Sequence, residues 1–334
     1  MSGIPLTRCQ FLVPFADILN NLGAPLDTLL AKHRLPTSLV EKADHYIPIL
    51  QAIRFAEAGQ RSQDIVDFGF HAAKQVLFDH LSSQIRTVIS QSPTLLVALQ
   101  QTCKWASIED TNLSMWLEYS DEEVRICTKL TGTEGLQHLE HSQWLQLMFT
   151  ILIVRQFAGL HWNPATIAFE ARYVPSTETQ SFWPNSRFLS GQHASWIDVP
   201  ISHLSLLGRP NTSPTPPLAE ENGPSSYEIV GLLRMMLPSY LDQGPPTLAE
   251  IAEMAGLSAR SLQRKLAQAG LSYSDLVNTA RFDNAARLLR DTDSKIIDIA
   301  LSSGYADHAH FTRAFRRFAG VTPRHFREQA RLGL

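Results

Sequence analysis

Two stretches near the end of this 334-residue chain repeat one short design 48 positions apart. The first reads Ile251-Ala252-Glu253-Met254-Ala255-Gly256-Leu257-Ser258, followed by Leu262, Arg264 and Leu266. The second reads Ala300-Leu301-Ser302-Ser303-Gly304-Tyr305, followed by Asp307, Phe311, Arg313 and Phe315. In each, a small residue stands four places before a glycine, and a polar residue then opens a segment of helical period. The alanine lets two helices approach closely, and the glycine supplies the left-handed backbone that ends the first of them. The pattern demands two helix-turn-helix units in tandem. The second turn is one residue longer, because Gly256 to Leu262 spans six positions and Gly304 to Phe311 seven. Such units place a helix in a major groove, so double-stranded DNA is the expected partner.

The residues around the two motifs read as helix throughout. Ser226–Leu241 is expected as a scaffold helix. Thr247 caps a helix over 248–255, with Glu250 as its capping-box partner. Ser258 caps 259–268, and Gly270 ends it. A connector over about 274–290 carries Leu276, Ala280, Ala285 and Leu289 at helical spacing. Asp293 or Ser294 opens the next helix, Asp307 caps 308–318, and Thr322-Pro323 opens a closing one.

Upstream, Arg209 to Ser226 is rich in proline, which denies helix hydrogen bonds and leaves little to bury; it is expected to be a linker. Residues 1–115 read as mostly helical, with apolar residues at i, i+3 and i+4 in 15–22 and 26–33, a helix over 47–60, and Pro93 at a helix start. The period then changes. Residues 113–119 and 123–130 alternate around Asp121-Glu122, which reads as a hairpin. Residues 143–160 return to an apolar helix, and 165–171 and 196–200 read as strands. The expected architecture is multidomain: an α+β sensor domain over 1–208, a linker over 209–226, and an all-α double helix-turn-helix domain over 227–334.

Charge follows the same division. Residues 227–334 carry fourteen Lys/Arg against eleven Asp/Glu, a net of +3, while residues 1–226 carry fifteen against twenty-one, a net of −6. A basic reading head on an acidic body fits a nucleic-acid partner for the C-terminal part alone. Cys9, Cys103 and Cys127 form neither a disulfide framework nor a metal-ligand spacing, and the twelve histidines form no HExxH-like cluster, so no structural metal or cofactor is expected. No run approaches eighteen apolar residues, so a cytoplasmic chain without membrane contact is expected. No phosphate-binding glycine loop, nucleophilic triad or paired catalytic carboxylates stands out, which argues against an enzyme.

The spacing Ala300-x3-Gly304-Tyr305-x-Asp307-x3-Phe311-x-Arg313-x-Phe315-Arg316-x3-Gly320-x-Thr322-Pro323-x2-Phe326-Arg327 resembles the signature of AraC/XylS-type transcriptional regulators, as does Arg281-x3-Ala285-x3-Leu289. The N-terminal part resembles the arabinose-binding-like sensor domain of the subgroup with ornithine-utilisation and virulence regulators. It does so through Asp67-Phe68-Gly69-Phe70, Ser92-Pro93-Thr94-Leu95 and Phe182-Trp183-Pro184. The resemblance implies a homodimer, a small-molecule effector that need not be arabinose, and activation through RNA polymerase.

Base reading needs side chains that pair with base edges, such as Arg with guanine and Gln with adenine. By register with the family, Arg260, Gln263 and Arg264 on the first reading helix and His308, Ala309 and Arg313 on the second fall at base-reading positions. Lys265, Thr312, Arg316 and Arg317 suit phosphates, although Arg317 equally suits a surface pair with Glu328. His308 and His310 stand where amides are commoner in the family, so the half-site preference of relatives does not carry over. In the N-terminal part, the six tryptophans are either core or pocket lining, and Arg155 and His161 either bind a carboxylate effector or serve as buried pairs and surface caps. A domain that only oligomerises, or binds a protein partner, is the rival reading.

Overall fold

The computed structural model describes residues 3–133, 136, 138–208 and 228–332. Residues 5–208 and 228–332 fall into two separate units, with residues 3 and 4 grouping with the second. The segment 209–226, expected as a linker, lies outside the described residues.

In the first unit, β1 (Leu6–Arg8) pairs antiparallel with β2 (Tyr46–Pro48) around α1 (Val13–Asn21) and α2 (Leu26–Lys32). Then come α3 (Ile49–Gln63), α4 (Phe68–Ala73), α5 (Ser83–Gln91) and α6 (Leu95–Trp105). Pro93 does not occupy the first turn of α6: Thr94 is its N-cap, with Oγ1 accepting from the Val97 N–H at 3.4 Å, and Pro93 precedes the cap. The expected hairpin is present as β3 (Leu113–Tyr119) and β4 (Glu123–Leu130), closed by the Ser120 N–H donating to the Glu123 carbonyl at 2.9 Å.

The long apolar helix is α7 (Glu140–Ala158), followed by β5 (Thr166–Ala168), α8 (Thr177–Ser181), β6 (Arg187–Leu189) and β7 (Ser195–Pro200). The five-stranded sheet runs β3-β4-β7-β5-β6, and its β5–β6 pair is parallel. Strand β5 is shorter than its alternation implied, and β6 was not expected. Both depend on pairing with distant partners rather than on local period. Helix α7 is apolar on nearly every side and buries Trp144, Leu147, Ile151 and Val154, as a helix passing through a core must.

One buried carboxylate ties the two ends of this unit together. Asp67 accepts from Tyr173 Oη and Thr179 Oγ1, both at 2.6 Å, and from the Ser176 N–H at 2.8 Å. Burial alone would raise its pKa, but these bonds outweigh burial and lower it.

The second unit is helical: α9 (Ile229–Met236), α10 (Leu248–Met254), α11 (Ala259–Gln268), α12 (Tyr273–Asp291), α13 (Ile296–Ser302), α14 (His308–Ala319) and α15 (Pro323–Arg331). Three boundaries differ from expectation. The scaffold helix ends at Met236 and tightens to a 3-10 turn over Leu237–Tyr240, since Pro238 has no N–H to donate and its ring crowds the preceding turn. Helix α12 opens one turn's edge earlier, with Ser272 and Asp275 forming a reciprocal capping box. Helix α13 is opened by Lys295, which makes no side-chain cap, rather than by Asp293 or Ser294. Asp293 instead pairs with Arg331, and the Ser294 carbonyl accepts from Arg327 at 2.7 Å.

Candidate nucleic-acid interface and interior chamber

Helices α10–α11 and α13–α14 are built alike. Gly256 and Gly304 have φ of +63° and +80°. The residue after each donates back into the preceding helix: Leu257 N–H to the Ala252 carbonyl at 2.8 Å, and Tyr305 N–H to the Ala300 carbonyl at 3.0 Å. These are Schellman closures, which satisfy carbonyls that a helix end leaves free. Ala252 and Ala300 are buried where the helices cross. The second turn, 303–307, is one residue longer than the first, 255–258, as the spacing implied. Ser258 accepts from the Ser261 N–H at 3.1 Å to start α11, and Asp307 accepts from the His310 N–H at 2.7 Å to start α14. That backbone bond holds the Asp307 carboxyl below its ordinary pKa, so the cap stays ionised.

Each reading helix sorts its side chains by face. Leu262 and Leu266 of α11 are buried, and so are Phe311 and Phe315 of α14, which join a cluster with Ala285, Leu289, Ile299 and Tyr305. Opposite them, Arg260, Gln263 and Arg264 are exposed on α11, and His308, Ala309, Arg313, Arg316 and Arg317 are exposed on α14. Lys265 and Thr312 are half-buried, and the Thr312 hydroxyl is shielded from solvent. Among the described residues, the side chains of Arg260, Gln263, Arg264, Lys265, Arg313 and Arg316 make no hydrogen bond or ion pair.

Four arginines of α12 and α15 behave differently, while Arg281 and Arg290 of α12 make no hydrogen bond or ion pair among the described residues. Arg287 donates to Asn284 at 3.1 Å, Arg324 pairs with Glu328 at 3.0 Å, and Arg327 and Arg331 are engaged as described above. Glu328 therefore belongs to Arg324, with His325 at 3.9 Å, and not to Arg317, whose guanidinium lies 5.8 Å from the Phe318 ring centroid.

In the first unit, Arg155 serves the chain itself. Its Nε donates to the Trp162 carbonyl at 2.9 Å and its Nη2 to Asn163 Oδ1 at 2.6 Å, which closes the turn after α7; His161 is exposed. Neither lines the interior chamber of this unit. That chamber lies among Phe11, Phe15, Ile53, Leu145 and Phe149, with Asp110, His141 and Gln146 in its wall. None of the six tryptophans lines it, and Trp144, Trp183 and Trp196 are buried as packing. Sequence reading passed over these polar wall residues because Asp110 and Gln146 meet from positions 36 apart.

Tertiary structure also gathers metal-capable groups that spacing did not reveal. His138, Glu140 and His141 have ligand atoms within 4.8 Å of one another, as do Glu118, Cys127 and His193. In the second set burial pushes the Cys127 thiol up to about 12, and Glu118 already accepts from Trp116 Nε1 at 2.8 Å, which makes it a poor donor set.

No described helix is long and apolar enough to cross a membrane. Two capped helix-turn-helix units, each showing an unpaired basic face, define a transcriptional regulator with a helix-turn-helix DNA-binding domain. A helix-turn-helix domain model matches residues 251–329, and the model for the N-terminal arabinose-binding domain of AraC transcription regulators matches residues 23–182. Together the two matches support an AraC/XylS-family regulator with an arabinose-binding-like N-terminal domain. It is 23% identical over 335 residues to the HTH-type transcriptional regulator VirS of Mycobacterium tuberculosis, covering 96% of each chain. An HTH-type transcriptional regulator of Staphylococcus aureus is 37% identical over 82 residues, covering 24% of this chain and 11% of that one. The solved structure of the transcriptional regulator CdpR from Pseudomonas aeruginosa aligns with 91% of this chain and 96% of its own at 15% identity and a TM-score of 0.37.

Proposed function

We propose that the chain is an effector-controlled activator of transcription in which α11 and α14 enter successive segments of one major groove. Arg260, Gln263, Arg264, His308, Ala309 and Arg313 read bases, and Lys265, Arg316 and Arg317 hold phosphates; Thr312, expected among the phosphate contacts, has its hydroxyl shielded from solvent and drops out of that set. In this reading residues 1–208 sense a small molecule and pair two copies of the chain. Residues 209–226 link that body to residues 227–334, and the DNA-bound form recruits RNA polymerase.

The observation that carries the proposal is the division of cations. Among the described residues, those on the outward faces of α11 and α14 make no hydrogen bond or ion pair, whereas four on α12 and α15 are committed to one. Unpaired arginines on a capped helix retain their full donor set for guanine edges. Residues 1–226, net −6, are unsuited to phosphate contact, which favours the basic part as the DNA-binding one. Pairing two reading heads through the body raises affinity for a doubled site by effective concentration.

The test is Arg264→Ala and Arg313→Ala in the full chain, footprinted on DNA selected by the wild type. Each is expected to weaken specific binding by about 1–3 kcal/mol per lost bidentate contact while leaving nonspecific binding nearly unchanged. Wild-type footprints from both variants would overturn the assignment of reading helices.

A further inference from the structure

We propose that the interior chamber of residues 5–208 holds a small, mainly apolar primary amine, with the Asp110 carboxylate binding its ammonium head and His141 its second polar group. The inference rests on the sensor reading above and names the chemistry of its ligand.

Most polar side chains that line the chamber are turned back to the protein. Thr102 Oγ1 donates to the Ala98 carbonyl and Thr150 Oγ1 to the Gln146 carbonyl, both at 2.8 Å, and Ser142 Oγ donates to the Leu139 carbonyl at 3.0 Å. Glu109 is taken by Arg8 at 3.0 Å and by the Ser82 N–H at 2.8 Å. Two buried residues are left over. Asp110 receives hydrogen bonds from Thr7 and from Gln146 Nε2, the latter at 3.3 Å to Oδ2, yet its Oδ1 has no partner. His141, 2% exposed, has no partner on either ring nitrogen.

Buried polar atoms are nearly always satisfied, and an orphaned one costs its full desolvation, so Asp110 Oδ1 together with the unpartnered His141 ring marks where a ligand completes the wall. The remaining lining is mainly Phe, Ile, Leu, Ala and Met side chains, which asks for an apolar body.

The head group follows from what each orphan lacks. An ionised carboxylate accepts only, so Oδ1 needs a donor, and a cationic donor also neutralises a charge that Arg8, committed to Glu109 and Asp44, does not reach by a hydrogen bond. Neutral imidazole offers one donor and one acceptor. A carboxylate head is excluded by repulsion from Asp110 and Glu109.

The experiment uses the full chain and four related probes: tyramine, 2-phenylethylamine, 2-(4-hydroxyphenyl)ethanol and 3-(4-hydroxyphenyl)propionate, each titrated by calorimetry and by thermal shift. Both amines should bind at least tenfold more tightly than the alcohol and the acid, and tyramine more tightly than 2-phenylethylamine. Asp110→Asn should erase the preference for amines, and His141→Phe should erase the advantage of tyramine. Without probe, Asp110→Asn should melt no lower than wild type at pH 7.5, because it removes an unpaired charge; a lower melting temperature would make Asp110 a structural acceptor and overturn the proposal.

Equal binding of the acid, or an amine affinity untouched by Asp110→Asn, would also overturn the head-group assignment and leave the sensor reading standing. If no probe binds, the amine is wrong, and a broad metabolite screen on the same full chain then decides the sensor reading separately.

Discussion

The two turn glycines should differ sharply in what they tolerate, although the sequence presents them as equivalent. Both have positive φ, so an alanine at either incurs the left-handed penalty of about 1–2 kcal/mol. Around Gly256 an added Cβ meets nothing within 4 Å. At Gly304 it would fall well inside contact distance of the Leu241 carbonyl oxygen, with the Leu241 carbonyl carbon and Arg281 Nε both at 3.2 Å. The obstacle is backbone at the end of the scaffold segment, which cannot rotate away. Overpacking of this kind adds about 1–3 kcal/mol. Gly304→Ala is therefore expected to lose about 2–5 kcal/mol and Gly256→Ala about 1–2.

All six tryptophans lie between residues 105 and 196, so their fluorescence is blind to this unit. The assay is hydrogen exchange of the α12–α15 amides in the full chain under rising urea, with tryptophan fluorescence as the internal control for the first unit. Equal losses at the two glycines would refute the claim that the second motif is sterically locked onto the scaffold while the first is open.

The chamber should show a pH dependence that wild type conceals. Burial raises Asp110 to about 6 from 3.8, so its contribution to stability is present below pH 3.8 and lost as pH rises through 6; burial lowers His141 to about 4 from 6.5, so its contribution is present above pH 6.5 and lost as pH falls through 4. Each is worth about 3 kcal/mol and the two slopes oppose between pH 4 and 6.5. Urea unfolding followed by tryptophan fluorescence should thus find Asp110→Asn weakening towards acid and His141→Phe weakening towards neutral pH, and profiles parallel to wild type would rule this out. Asp307→Ala removes the cap that the His310 N–H donates to and should cost about 1 kcal/mol, seen as faster exchange in the first turn of α14 and weaker DNA binding.

The C-terminal domain was legible because its determinants are local. Caps at Thr247, Ser258, Asp307 and Thr322, glycines at 256 and 304, and apolar residues at helical spacing all act within a turn or two of where they stand. The exposed faces of α11 and α14 followed from the same periodicity, and so did the β3–β4 hairpin. Sequence alone did not decide where α13 begins, because Asp293 and Ser294 are both reasonable caps, and only the fold shows Arg331, 38 residues on, taking the Asp293 carboxylate and Arg327, 33 residues on, the Ser294 backbone carbonyl. Nor did it separate Gly304 from Gly256, since the difference lies in which carbonyl packs against the turn. The chamber was invisible for the same reason. Asp110, His141 and the apolar wall come from helices and strands scattered over the first half of the chain, and no spacing rule links residues whose only relation is burial together. Local backbone preference sets helices, turns and their faces, while the pairing of distant elements decides which polar atoms are satisfied and which are left waiting for a ligand.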